Sequence, residues 1–178
     1  MNNPQESEDH SKKNDYRTIE QTMEKFSGGT RRLAAQLTTS ASFDSLWSVL
    51  TDYDRLNLYI PNLLSSKKIY QKDNNVHLKQ VGAQDFLGMK FSAEVTIDLF
   101  EEKELGLLNF SLIKGDFRRF EGSWKIQTIK NTSKNSLIYD LTVQGCQWMP
   151  IGMIEKRLKK DLSENLIAVD KQAKFSIQ

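Results

Sequence analysis

The sequence predicts an α+β domain in which a curved antiparallel sheet of about six to eight strands wraps around a long C-terminal helix. Three observations carry that expectation. From Leu64 to Gly145, apolar residues alternate with polar ones at a period of two, in segments separated by turn residues. After Pro150 the period changes, and Ile151, Ile154, Leu158, Leu162, Leu166 and Val169 recur every three or four residues. Between the first sheet strand and the main strand series lie two short segments of helical spacing.

Taken in order, Arg31 to Thr39 alternates Leu33, Ala35 and Leu37 with more polar partners, and the turn Ser27-Gly28-Gly29-Thr30 before it predicts a hairpin. Ser42 is placed to cap a short helix carrying Phe43, Leu46, Trp47 and Leu50, with Asp44 in its first turn. Asp52 is placed to cap a second helix, with Asp54 charging its start, and Pro61 ends it. Strands are expected at Leu64 to Gln71, Val76 to Gly82, Met89 to Phe100, Leu105 to Lys114, Arg118 to Ile129 and Ser136 to Gly145. In the third of these, Phe91, Ala93, Val95, Ile97 and Leu99 share a dry face, with Ser92, Glu94, Thr96 and Asp98 opposite. In the last, Leu137, Tyr139, Leu141 and Val143 point inward. A final helix of about 20 residues would span about 30 Å, enough to lie across such a sheet.

Composition limits the function classes. A chain of 178 residues, 38% hydrophobic and 27% charged, holds one sizeable core and not two. Residues 1–15 are almost without apolar side chains and are expected to form a flexible tail, with 16–178 a single domain. Residues 1–30 carry four basic against six acidic side chains and the remainder 21 against 17, which is not the clustered basic footprint of a nucleic-acid binder. The opening residues have neither the basic nor the apolar stretch of a secretory signal, and no apolar run reaches the length of a membrane span. A soluble cytoplasmic protein is the expectation. Cys146 stands alone, expected as a small buried or half-buried residue in a reducing compartment.

A strongly curved sheet gripping one helix leaves space that side chains do not fill, and large inward aromatics are natural cavity walls. Here the residues resemble a known family. Phe43 to Leu64 (FDSLWSVLTDYDRLNLYIPNLL), Gly115 to Trp124 (GDFRRFEGSW) and Gln147 to Leu166 (QWMPIGMIEKRLKKDLSENL) are similar to the START-like (SRPBCC, helix-grip) superfamily, in particular its coenzyme Q-binding and polyketide cyclase/dehydrase members. The similarity spans Arg31 to about Ala173. It implies a helix-grip fold that holds hydrophobic molecules such as quinones, lipids or polyketides, only some members acting chemically on what they hold.

The candidate ligand-binding residues are Phe91, Phe110, Phe120, Trp124, Tyr139, Leu141, Met153, Leu158 and Leu162. Each is expected to point inward, as cavity wall or as core against the last helix, and Gly122 leaves room beside the aromatics for a ligand or another backbone. Trp148, Met149 and Ile151, beside the basic Lys156 and Arg157, form an apolar tip suited to a reversible membrane contact at the cavity mouth. The competing reading packs Trp148 and Met153 on the first helices and leaves the basic residues as a solvated face.

No catalytic residue, metal ligand or cofactor is expected. His10 lies in the tail, and His77 points outward by alternation with Val76 and Leu78. Asp52, Asp54, Asp85, Asp116, Glu121 and Asp140 fall at turns or on the wet side without a working pair, and Arg118 and Arg119 are expected to be solvated or to sit at the pocket rim. P-loop and dinucleotide fingerprints are lacking. The leading expectation is therefore a carrier of a small hydrophobic or lipid-like ligand such as an isoprenoid quinone. The alternatives are a polyketide cyclase/dehydratase-type enzyme and a protein-interaction module using the same apolar mouth.

Overall fold

The computed structural model describes residues 19–86, 89–147 and 149–175. The expected tail lies outside them, as does Trp148. Eight strands, β1 (Ile19–Lys25), β2 (Arg31–Thr39), β3 (Leu63–Lys72), β4 (Asn75–Phe86), β5 (Met89–Glu102), β6 (Leu107–Gly115), β7 (Phe117–Thr128) and β8 (Asn135–Gly145), form one sheet in the order β1-β2-β8-β7-β6-β5-β4-β3. Every neighbouring pair is antiparallel. Because β2 and β3 stand far apart in this order, the segment between them crosses the breadth of the sheet. It contains α1 (Phe43–Leu50) and a 3-10 turn over Tyr53–Leu58.

Local chemistry explains both short elements. The Ser42 hydroxyl accepts the Ser45 N–H at 3.1 Å, the cap expected from sequence, and α1 buries Leu46, Trp47, Val49 and Leu50. Asp52 does not cap the next turn: it makes no capping hydrogen bond and lies 3.4 Å from Arg55. Asp54 lies in the first turn as expected, and it also accepts the backbone N–H of Lys68 on β3 at 2.7 Å, tying the turn to the sheet edge. Tyr53 donates to Glu101 at 2.6 Å and Tyr59 to the Val49 carbonyl at 2.6 Å, so neither the buried Tyr53 nor the half-buried Tyr59 strands its hydroxyl.

The strand boundaries follow the alternating pattern, with three differences, the first being that β4 runs four residues past the expected Gly82 to Phe86. Lys103–Leu105 form a 3-10 turn, so β6 starts at Leu107 and Leu105 is exposed. Thr96, expected on the wet face, is buried where β5 shifts register against β6 between Thr96 and Ile97. His77 points outward as expected, 3.4 Å from Asp98 and against the Tyr70 ring, while Val76 and Leu78 are buried.

The last helix, α2 (Ile151–Phe175), has 25 residues and is longer than the periodicity suggested. Its stripe of Ile154, Leu158, Leu162, Leu166 and Val169 faces the sheet and extends to Ala173, whereas Ile151 is exposed. Asp170 is fully buried near the helix end: Thr39 donates to its Oδ1, and Lys174 contributes a bond of 3.2 Å to the carboxylate. Thr39 Oγ1 also accepts the Ala41 N–H at 2.9 Å. Near the other end, Glu155 pairs with Arg31 at 2.6 Å and Lys25 at 3.0 Å, fastening the β1–β2 hairpin to α2, and the Arg31 bond holds the Glu155 carboxyl below its ordinary range.

Candidate ligand-binding cavity

Between α2 and the inner face of the sheet lies a half-enclosed cavity of about 300 Å³ with a mostly apolar wall. That is at the lower end of the size range of small-molecule sites. Strands β4, β5, β7 and β8 supply one wall, α2 the opposite one, and Leu50, Leu56 and Ile60 to Leu63 the side next to α1.

The sheet wall is aromatic. Trp124 and Tyr139, cross-strand partners on β7 and β8, stack with centroids 4.0 Å apart and planes within 9°. Tyr139 continues to Phe110 at 6.3 Å, Phe110 to Phe120 at 5.7 Å, and Phe120 to Phe117 at 5.4 Å. Past Ser111↔Glu121 the ladder of β6 and β7 ends, and the Asp116 carboxylate accepts the Glu94 N–H at 2.7 Å, so the tip turns onto β5. That leaves Phe117 and Phe120 on the cavity wall. Gly122 serves a backbone and not a ligand: a Cβ there would lie 2.0 Å from the Asp140 carbonyl and 3.0 Å from Phe110.

Of the expected binding residues, Phe91, Phe120, Trp124, Tyr139, Leu141, Leu158 and Leu162 line the cavity. Phe110 is buried one layer behind, in contact with Phe120 and Tyr139. The Met153 side chain lies outside the described residues. The expected mouth divides. Ile151 and Lys156 are exposed, but Met149 is buried with Val143 and Ile154 and lines the cavity. Gly145 permits that packing, since a Cβ there would meet Ile154 at 2.5 Å. Arg157 was expected outward as part of a basic surface and instead lines the cavity with its side chain 16% exposed.

Arg157 turns inward because it has a partner there. Its Nε donates to Asp161 Oδ2 at 2.7 Å, one helical turn on, and Asn165 stands a further turn along. These three polar residues form a strip beside the apolar stripe of α2. Burial pushes the Asp161 carboxyl up to about 6 against the opposing pull of Arg157. Asp161 Oδ1 and Asn165 Oδ1 are buried with no hydrogen-bond partner. Burial raises the Tyr139 phenol, and the charge of Asp161 adds to that rise. The sequence reading missed Asp161 and Asn165. The available signal was the spacing of 157, 161 and 165, which runs parallel to Ile154, Leu158 and Leu162 three positions away.

Elsewhere, Arg118 is exposed and Arg119 pairs with Glu121 on the surface. Cys146 is half-buried with its thiol 2.7 Å from the Asp116 carbonyl. Among the described residues no group of His, Cys, Asp and Glu is arranged to hold a metal, and no helix is long and apolar enough to cross a membrane.

The family profile described as polyketide cyclase / dehydrase and lipid transport matches residues 39–170. The chain belongs to this family. Its match covers α1, the main strand series and most of α2, the elements that enclose the cavity. No curated protein matches the sequence. Among solved structures, a STAR-related lipid transfer protein from Xanthomonas axonopodis superposes with a TM-score of 0.76 at 12% identity, covering 88% of this chain and 93% of that one. The Zhui aromatase/cyclase from Streptomyces gives 0.72 at 14% identity, covering 84% and 96%. A START superfamily protein from Mycobacterium smegmatis gives 0.64 at 16% identity, covering 80% and 97%. At such identities the likeness establishes the fold alone, a START-like helix-grip fold.

Proposed function

We propose that the protein binds a small hydrophobic or lipid-like molecule in the cavity under α2 and carries it without chemically changing it, an isoprenoid quinone being a candidate. The observation that supports this most is the wall itself: stacked Trp124 and Tyr139 on one side and Leu158 and Leu162 on the other, with few polar groups between. Removing apolar surface from water drives such binding at about 25 cal/mol per Å², and stacked rings add a flat surface for a planar head. Exposed Ile151 and Lys156, at the start of α2, suit a peripheral contact with an anionic membrane during loading.

The test is organic extraction of the purified protein after incubation with membranes, followed by mass spectrometry. A quinone or lipid in stoichiometric amount, reduced at least about tenfold in Trp124→Ala, supports carriage. A clean extract from folded protein rejects it. A second reading, a cyclase/dehydratase-type enzyme, is favoured by one observation: the Arg157–Asp161 pair places a carboxyl of raised pKa on the cavity wall. That reading requires the extracted molecule to be altered on incubation with the native protein and unaltered with Asp161→Asn.

A further inference from the structure

We propose that Asp161 and Asn165 form a receiving station for a hydrogen-bond donor, so that the cavity selects apolar molecules bearing a hydroxyl group over the same molecules with that oxygen capped. The inference rests on the ligand-binding reading above and specifies the chemistry of the ligand.

Among the described residues, five side-chain atoms are buried without a hydrogen-bond partner, and those of Asp161 and Asn165 are the two that belong to cavity-lining residues. Both are acceptor oxygens. They sit four residues apart on one helix, a rise of about 6 Å. A buried acceptor left without a donor is unfavourable, and a ligand that supplies the donor recovers that loss on binding. The nearby cation does not serve this purpose, because Arg157 is already directed to the other oxygen of Asp161.

The chemistry of the two groups is not symmetric. An amide can turn over and present its N–H₂, so Asn165 alone would accept either a carbonyl or a hydroxyl. An ionised carboxylate offers acceptors only, so Asp161 gives the site its sign. The groups facing it are Arg157 and Lys160, which favour its ionised form, and Glu164, which opposes it, all on α2, with Tyr139 across the cavity on β8. The stacked rings of Tyr139 and Trp124 form the sheet wall of the same cavity. A hydroxylated ring bearing an apolar tail fits both features, the ring against the aromatics and its O–H toward the acceptors. For a redox pair of quinone and quinol, the hydroxyl-bearing quinol is the form favoured.

The experiment measures binding of nonylphenol and of its methyl ether to the full chain by calorimetry near neutral pH. The two probes share the ring and the nonyl tail, and the ether carries a methyl group in place of the one donor hydrogen. The native protein is expected to bind the phenol about tenfold or more tightly, with the preference reduced to about twofold or less in Asn165→Leu and in the double variant Arg157→Met, Asp161→Leu. Equal binding of the two probes by the native protein overturns this proposal and leaves the ligand-binding reading standing. Binding of neither probe overturns both. A preference that survives in both folded variants also overturns the proposal, since the donor would then be received elsewhere.

Discussion

The two halves of α2 do different work on one continuous helix. In the half from Leu166 to Ala173, Leu166, Val169, Asp170 and Ala173 are all fully buried, and the buried charge of Asp170 is bonded to Thr39 and Lys174. In the half from Ile154 to Asn165, the stripe borders open volume, a carboxyl titrates high, and two acceptors lack donors. The first half behaves as the interior of a folded domain, buried and polar only where satisfied, with Val169 alone of these four reaching the far end of the cavity wall. The second carries what a packed core rejects. The contrast indicates that the helix is anchored by one end so that the other can line a space for something else.

The largest test of this contrast is a matched pair of leucine truncations. Leu166→Ala removes a fully buried side chain with close neighbours and is expected to cost about 3 kcal/mol in urea unfolding. Leu158→Ala, on a side chain that already faces the cavity, is expected to cost less than about 1 kcal/mol. Equal costs would mean that the N-terminal half is as tightly packed as the C-terminal half, and that the cavity is not a standing feature. A smaller effect tests the anchor. Thr39→Val keeps the shape but leaves the buried Asp170 short of a donor and the Ala41 N–H short of an acceptor, with an expected loss of about 2 kcal/mol. A loss near zero would show that Asp170 is satisfied without the Thr39 hydroxyl.

The same contrast marks what was legible in the sequence. The period-two alternation of Leu137 to Val143 and the stripe from Ile154 to Val169 placed the sheet and helix on each other, because hydrophobic period depends on burial and burial is what the fold arranges. The Trp124–Tyr139 wall followed from the same inward direction. What was misread are polar residues whose role depends on a partner brought close by folding. Arg157 resembled a surface cation beside Lys156 and Lys159, and only its pairing with Asp161 inside the cavity explains its direction. Asp54 does sit in the first turn of the second short helix, and what the sequence did not signal is that its carboxylate also serves the backbone of Lys68 on a strand. Gly122 is different: its missing side chain left room for a ligand or another backbone, and the neighbouring strand's Asp140 carbonyl takes that space. An amphipathic stripe of three and four spacing has flanks as well as a centre, and the flank at 157, 161 and 165 faces inward wherever the sheet curves away.

The last and smallest effect concerns pH. An aspartate in the unfolded chain titrates near 3.9, while Asp161 in the folded protein titrates at about 6. Between those values the folded state holds a proton that the unfolded chain has released, so stability falls as pH rises from about 4 to about 6 and is then level. The gap corresponds to at most about 3 kcal/mol. Because a quarter of the side chain still meets solvent, screening reduces the expected effect to about 1 kcal/mol. Asp161→Asn cannot ionise, and subtracting its stability from that of the native protein, pH by pH, cancels the groups the two proteins share. The difference curve is expected to descend through that interval, the native protein losing ground to the variant as Asp161 ionises. A flat curve would place Asp161 in water, and α2 would then be an anchored helix along its whole length, with no dry wall for a ligand to recognise.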